Sequence, residues 1–411
     1  MFDSNFYKKQ IEDTIWPFWQ KAYDKNVGGV FTCFTNDGSE LLSTDKYIWS
    51  QGRFLWITTK MYELALKGKV DIRADLLQSM SKDTLNFLQM YAFTEEGEAL
   101  YAVTETGELL PEQETISIYA DCFCLLGMSS YARIFNDQSV YCFCMKLMTS
   151  IENRLKEGVF ETEPYPIKDG YLSHSINMIL INVINEMIKT AKKINEKDVE
   201  DLRTCGDSYV TTILTQLVIG NTRIAEFVSE EKEFHSSMLY RHVNPGHTLE
   251  SIWFLVEYLE ESESGCKDAI LEQLVTITKK TLTVGWDQEF GGLFRFVDCE
   301  GGKPEGVSGE GRYEVLINST WDMKLWWPHS EALYALTALF QRSGDQSLLK
   351  WLEKIQEYTF KVFPNPNKKT GEWIQIRNRE GCPVEKVVAL PVKDPFHIWR
   401  SMILLIESRG D

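Results

Sequence analysis

Stretches that are apolar on every side constrain this chain more than any other feature. Met178-Ile179-Leu180-Ile181 leaves no polar face within one helical turn, so a helix there has to be enclosed by other helices. Elsewhere the apolar residues keep the helical period on one face. Leu55, Trp56, Thr59, Tyr62 and Leu66 share such a face, as do Ile252, Leu255, Val256 and Leu259, and Leu333, Leu336, Leu339 and Phe340. Further helices are expected near residues 84–91, 118–135, 178–194, 210–218, 269–282 and 346–360. The all-apolar helices are expected inside, covered by an outer layer of one-faced helices.

A second pattern recurs between the helices. Residues 31–38, 101–107, 294–301 and 374–381 each read as a short alternating strand ending in a glycine turn, the mark of a small hairpin. Two of them share a longer prefix: Tyr23-Asp24 and Trp286-Asp287 precede Gly-Gly by the same spacing. Helix pairs with a repeated hairpin point to a toroid of helical hairpins, with loops and site gathered at one end. An open helical solenoid satisfies the same periodicity. No Ser/Gly/Pro-rich linker or single-sign charge block divides residues 1–411, so one domain is expected.

The charge balance narrows the partners. A net charge of −17 argues against nucleic acid or an anionic membrane surface. The nine cysteines include no CxxC pair, and Cys122/Cys124 and Cys142/Cys144 lie in apolar runs, which suits buried thiols in a reducing compartment. Met1-Phe2-Asp3-Ser4 shows no basic-then-apolar signal, and no run approaches membrane-spanning length; a cytoplasmic protein is expected.

Two four-residue strings are built to one plan: Asn244-Pro245-Gly246-His247 and Asp394-Pro395-Phe396-His397. Each opens with a helix N-cap residue, continues with a proline suited to the first helical position, and places a histidine in the first turn. The positive end of a helix disfavours imidazolium, so both histidines are expected to rest neutral and able to take a proton. Facing each other across a pocket, they would move a proton from one face of a carbon to the other. The alternative is a capped helix start that tolerates a histidine.

The chain has six histidines, and His329, in Trp326-Trp327-Pro328-His329-Ser330-Glu331, also follows a proline. His174 precedes an apolar helix and is a candidate to line the cleft. His235 and His242 lie in a polar stretch and are expected to face solvent. No HxH, HxxxH or HExxH spacing or compact cysteine cluster occurs, so no metal site is expected. Neither nucleotide fingerprint nor a GxSxG elbow is present. Arg53 opens an aromatic helix, where it would stabilise an enediolate oxygen or pair with an acid. Glu250 and Glu331 near helix starts would bind sugar hydroxyls or balance the dipole.

Five motifs now converge. They are Lys46-Tyr-Ile-Trp-Ser-Gln51-Gly52-Arg53, Ser117-Ile-Tyr-Ala-Asp121-Cys-Phe123, Asn244-Pro-Gly-His247-Thr-Leu-Glu250, Trp326-Trp327-Pro-His329-Ser-Glu331-Ala332 and Phe396-His397-Ile-Trp399-Arg400. In this order, and almost end to end, the chain resembles the N-acylglucosamine 2-epimerase family, whose mammalian members are also called renin-binding proteins. The resemblance implies an all-α (α/α)6 barrel and a cofactor-free sugar epimerase or isomerase. It implies that His247 and His397 form the acid/base pair and that Arg53, Glu250, Glu331, Arg400, Trp327 and His329 surround the sugar. It also implies a homodimer. Some such epimerases are activated by ATP without consuming it, and no string here locates that site.

Two departures stand out. Trp399 replaces a proline found in mammalian-type members, beside the second histidine, and is a further candidate for the cleft. The cellobiose epimerase and mannose isomerase branches carry another histidine in the helix that here contains Ile179, and His174 is not at that position. Gln51-Gly52-Arg53 favours the N-acylglucosamine branch. The expectation is interconversion of N-acetylglucosamine and N-acetylmannosamine by two-base proton transfer at C2. The alternatives are an aldose–ketose isomerase or cellobiose 2-epimerase on the same barrel, a glycosidase using two carboxylates, and a non-catalytic protein-binding role.

Overall fold

The computed structural model describes residues 3–110, 115–261, 267–388 and 391–408. In chain order its main helices are α1 (residues 4–22, with a π turn at Ile11–Ile15), α2 (Ile48–Leu66), α3 (Ala74–Tyr91), α4 (Ile118–Phe135), α5 (Gln138–Glu157), α6 (His174–Ile194), α7 (Val199–Thr212), α8 (Pro245–Glu261), α9 (Lys267–Gly285), α10 (Trp326–Ser343), α11 (Ser347–Val362) and α12 (His397–Ser408). The even-numbered helices form an inner ring and the odd-numbered ones cover it. Each inner helix packs on the next, and α12 returns to α2, so the ring is closed. The structure thus decides between toroid and solenoid, and the fold is the expected (α/α)6 barrel.

Burial explains the division. In α4 every residue from Ile118 to Ala132 is buried, as an inner helix requires. In α11 the buried residues are Leu348, Leu352, Ile355, Gln356 and Thr359, a single stripe facing α10. The last hairpin of the ring is made by the two ends of the chain, where α1 packs on α12 and Trp16 meets Trp399 edge-on at 6.1 Å.

The hairpin loops gather where the inner helices begin. Gly38, Gly107, Gly301 and Gly381 all turn with positive φ, as the strand-then-glycine pattern implies. The expected hairpins close around these turns, with bridges Phe34 to Leu41, Val103 to Leu109 and Arg377 to Pro383, and the two-residue strands also pair between repeats. Lys46–Tyr47 pairs with Ala102–Val103, His242–Val243 with Val297–Asp298, and Lys324–Leu325 with Ile376–Arg377. Stitching neighbouring loops together leaves fewer unpaired backbone groups at the barrel mouth than isolated hairpins would.

The shared prefix has a structural purpose. Asp24 accepts from Lys46 Nζ at 2.7 Å and Asp287 from Lys324 Nζ at 3.0 Å, all four groups being buried. A third pair, Lys393 to Glu372 at 2.8 Å, repeats the arrangement ahead of α12. Each lysine lies just before an inner helix and each acid in the turn behind the preceding outer helix, so the pairs fix where α2, α10 and α12 start.

Candidate active site

A pocket opens at the centre of the barrel mouth, lined by the first turns of all six inner helices. Trp49 and Arg53 come from α2, Tyr119 and Phe123 from α4, Ser175 and Met178 from α6, His247 and Glu250 from α8, Trp327 from α10 and His397 from α12. Six helix N-termini converging on one space favour negative charge there.

The Gln51-Gly52-Arg53 string builds one wall. Gln51 clamps the loop behind α1, accepting from Val30 N–H at 2.8 Å and donating to its carbonyl at 2.9 Å. Gly52 lets α2 and α4 touch backbone to backbone, since a Cβ there would lie 2.5 Å from the Phe123 carbonyl. Arg53 then projects into the pocket between Trp49 and Phe123, its guanidinium 4.6 and 4.0 Å from their ring centres. Its Nη1 donates to Asp394 Oδ1 at 3.1 Å, and burial still pulls its pKa down to about 10.

Both N-caps form as expected. Asn244 Oδ1 accepts from His247 N–H at 3.3 Å, and Asp394 Oδ2 from His397 N–H at 2.9 Å. The ring of His247 meets a residue the sequence reading missed. Its Nδ1 lies 2.9 Å from Glu226 Oε2, in the loop between α7 and α8, and the other Glu226 oxygen stands 3.5 Å from His174 Nδ1. Burial alone lowers the proton affinity of His247, but the charge and hydrogen bond of Glu226 outweigh it and the net shift is upward. Glu226 therefore acts against the pull toward neutral imidazole expected from the helix end at His247. Burial acts to raise Glu226 itself, and the two imidazoles hold it well below the usual carboxylate range.

His397 has a different neighbour. Its Nδ1 lies 2.7 Å from Glu331 Oε1, reaching across from α10. Arg400 Nη2 donates to the same oxygen at 2.7 Å and also to Glu250, while Trp253 Nε1 holds the second Glu331 oxygen at 2.7 Å. Burial acts to raise Glu331, and Arg400 with His397 brings it down to about 2. Glu250, Glu331 and His397 lie close enough together to share a cation, and the Arg400 guanidinium supplies one.

Trp327 joins the two halves. Its ring centre is 5.2 Å from that of His247 and 5.6 Å from that of His397. With both Nδ1 atoms engaged by carboxylates, Nε2 is the ring nitrogen left for a ligand on each histidine.

Not every expected residue lines this pocket. His329 is fully buried, with Nδ1 on the Leu325 carbonyl at 2.7 Å and Nε2 accepting from Leu293 N–H at 2.8 Å. Burial pushes its pKa down to about 3, so it is a neutral backbone clamp rather than a sugar ligand. Trp399 points to Trp16 in the outer layer, away from the cleft. His174 lies behind Glu226, with Nε2 3.1 Å from Ser251 Oγ. Glu331 and Arg400 sit beneath His397 rather than on the pocket surface. His242 is buried among Phe227, Phe296 and Tyr313, which overturns its expected solvent position, whereas His235 is exposed. Besides Glu226, the sequence reading missed Arg295 and the aromatic wall of Tyr119, Tyr165 and Tyr313.

The family model for N-acylglucosamine 2-epimerase (GlcNAc 2-epimerase) matches residues 29–401. The N-acylglucosamine 2-epimerase of Bos taurus is 29% identical over 400 residues, covering 96% of this chain and 88% of that protein. The cellobiose 2-epimerase of Eubacterium cellulosolvens is 20% identical over 429 residues, covering 97% of each. A crystal structure of D-mannose isomerase superposes with a TM-score of 0.77 at 15% identity, over 98% of this chain and 97% of that one. The fold is therefore that of the sugar epimerase and isomerase barrels, and the chain is an enzyme of the epimerase type belonging to the N-acylglucosamine 2-epimerase family.

Proposed function

We propose that the protein interconverts N-acetylglucosamine and N-acetylmannosamine by two-base proton transfer at C2. The observation that carries this reading is the pair of histidines flanking Trp327, each with Nδ1 on a carboxylate. The sugar ring opens, and the C1 aldehyde makes the C2–H acidic. His397 Nε2 takes that proton, and the bond electrons move to O1 to give an enediolate-type anion. Arg53 and the converging helix N-termini stabilise the anion. His247, whose protonated form Glu226 favours, delivers a proton from Nε2 to the opposite face of C2. His397 ends protonated and His247 neutral, and exchange with solvent resets both. The roles swap in the reverse direction.

An N-acetyl group at C2 leaves no C2 hydroxyl to become a ketone, so reprotonation gives the epimer. With a free C2 hydroxyl, protonation at C1 would give a ketose from the same two bases. The reading requires no cofactor. The eight free cysteines among the described residues fit a reducing compartment such as the cytoplasm, and a homodimer is part of the reading. Among the described residues no helix is long and apolar enough to cross a membrane.

The test is proton exchange. The protein is incubated in D2O with N-acetylmannosamine, mannose and cellobiose, and C2 exchange is followed by NMR. Deuterium is expected at C2 of N-acetylmannosamine and its epimer. Exchange with only the unacetylated sugars rejects the N-acylglucosamine assignment, and exchange with none of them points to a binding protein.

A further inference from the structure

Arg295 enters the pocket from the loop between α9 and α10 and is 4% exposed. Its Nη1 donates to the Thr320 hydroxyl at 2.9 Å and its Nη2 to the Val388 carbonyl at 2.5 Å, a carbonyl that also accepts from the Tyr165 hydroxyl. Among the described residues no carboxylate lies within ion-pair distance of it. The other two arginines of the site differ, since Arg53 has Asp394 and Arg400 has Glu250 and Glu331. Burying a guanidinium with no counter-charge is costly, and here burial lowers its pKa.

The fold does not require a cation at this position. The turns behind α1, α9 and α11 are related, with bridges Tyr23 to Val30, Trp286 to Leu293 and Pro364 to Trp373. Two residues beyond each bridge stand Thr32, Arg295 and Gln375. Gln375 is absorbed by the Asp394 backbone, and neither it nor Thr32 lines the pocket. Only the repeat beside His247 carries a positive charge, and that charge faces the ligand space.

Its location matters for the substrate. If C2 reacts between His247 and His397, the acylamino group on C2 lies beside one of them. The carbonyl oxygen of that group is its strongest acceptor and is three bonds from C2. Arg295 is near enough to His247 for its charge to oppose protonation there, although Glu226 wins. The Phe296 ring centre is 4.9 Å from the guanidinium, and Ile167 and Tyr313, which pack on the cluster containing Phe296, line the same pocket, surfaces suited to an acyl methyl.

We propose that Arg295 donates to the acyl carbonyl oxygen of the 2-acylamino group and makes the pocket select acylated amino sugars over plain hexoses. The assignment rests on the epimerase reading above. It is tested by binding of two unreactive open-chain alditols, N-acetylglucosaminitol and glucitol, measured by titration calorimetry on the whole protein. Arg295→Gln is expected to weaken N-acetylglucosaminitol about 30-fold, as for a lost charge-assisted hydrogen bond, and glucitol less than about threefold. Arg295→Lys keeps the charge without the planar fork and is expected to fall between. Equal weakening of both alditols, or of neither, overturns the assignment. So does much tighter binding of an acidic sugar that is lost in Arg295→Gln, which would make the ligand group an anion. If Arg295→Gln does not fold, as read by its thermal melt, Arg295→Lys carries the same comparison. Failure of the unaltered protein to exchange C2 of N-acetylmannosamine would overturn the epimerase reading itself, which separates the two outcomes.

Discussion

At His247 the ring rests on Glu226, a loop carboxylate whose ion-pair partners among the described residues are two imidazoles, those of His247 itself and His174. At His397 the ring rests on Glu331, a carboxylate from α10 that Arg400 also grips. The helix starts that carry the two histidines are nearly the same, with an Asn or Asp cap, a proline, and a histidine in the first turn. The counter-charges are not. Glu226 gives its whole charge to its side of the pocket, and His247 is held above the ordinary histidine value. Glu331 orients its ring while Arg400 takes up much of its charge. Two similar helix starts thereby hold their histidines against different counter-charges.

The largest effects test whether two bases are needed at all. His247→Ala and His397→Ala are each expected to reduce epimerisation about a thousandfold, the scale of a lost general acid or base. Full activity in either variant, measured as conversion of N-acetylmannosamine, removes the two-base scheme.

The carboxylates break the comparison more finely. Glu331→Gln strips a buried charge from Arg400 and His397 together, so a stability loss of about 3 kcal/mol in denaturant titration is expected along with lost turnover. Glu226→Gln keeps a hydrogen-bond partner on Nδ1 and removes only the charge, and a loss of about tenfold is expected. Its signature is a pH profile. His247 is raised in the native protein, so activity that needs its protonated form is present at low pH and lost as pH rises through its pKa. Without Glu226 that pKa falls, and the basic limb should move to lower pH. An unmoved limb would mean that Glu226 only positions the ring.

The histidine pair was legible because cap, proline and histidine form one local string. The barrel was legible as helix pairs, since periodicity reports which face is buried. Closure was not, because it depends on α12 meeting α2 and on the two chain ends pairing, and periodicity does not say what covers a face. Glu226 and Arg295 were missed because their partners are distant in the chain. A signal was present all the same: Ile224-Ala225-Glu226-Phe227-Val228 and Phe294-Arg295-Phe296-Val297 each place one charge inside an apolar run. In a short strand at a barrel mouth, such a charge faces inward and needs a counterpart or a ligand.

A smaller effect is expected at the one position of the paired strings whose residue differs most in size. Gly246 lies against Trp327, and a Cβ there would stand 2.3 Å from the indole ring, whereas Phe396 fills the matching position with its ring 4.3 Å from the Arg400 guanidinium. Gly246→Ala must push Trp327 from its place between the histidines. A stability loss of about 1–3 kcal/mol, as for overpacking, is expected, with a fall in turnover. If turnover is unchanged while the melt drops, Trp327 is a wall and not part of the reacting geometry.

The smallest effect concerns Trp399. Standing two residues after His397, it lies about 200° around the helix, on the far side from the pocket, while Arg400, three residues on, returns toward the histidine's face. The structure agrees: Arg400 reaches Glu331, and Trp399 packs on Trp16 with its indole N–H unpartnered among the described residues. Replacement by phenylalanine keeps a ring against Trp16 and removes that buried donor, so kcat/KM within about twofold of the starting protein is expected, with a stability loss of about 1–2 kcal/mol from the smaller ring. A tenfold loss of kcat with an unchanged melt would mean that the contact between α12 and α1 sets the angle at which His397 meets the sugar, and the second half-site would then extend to the outer layer, as the first does not.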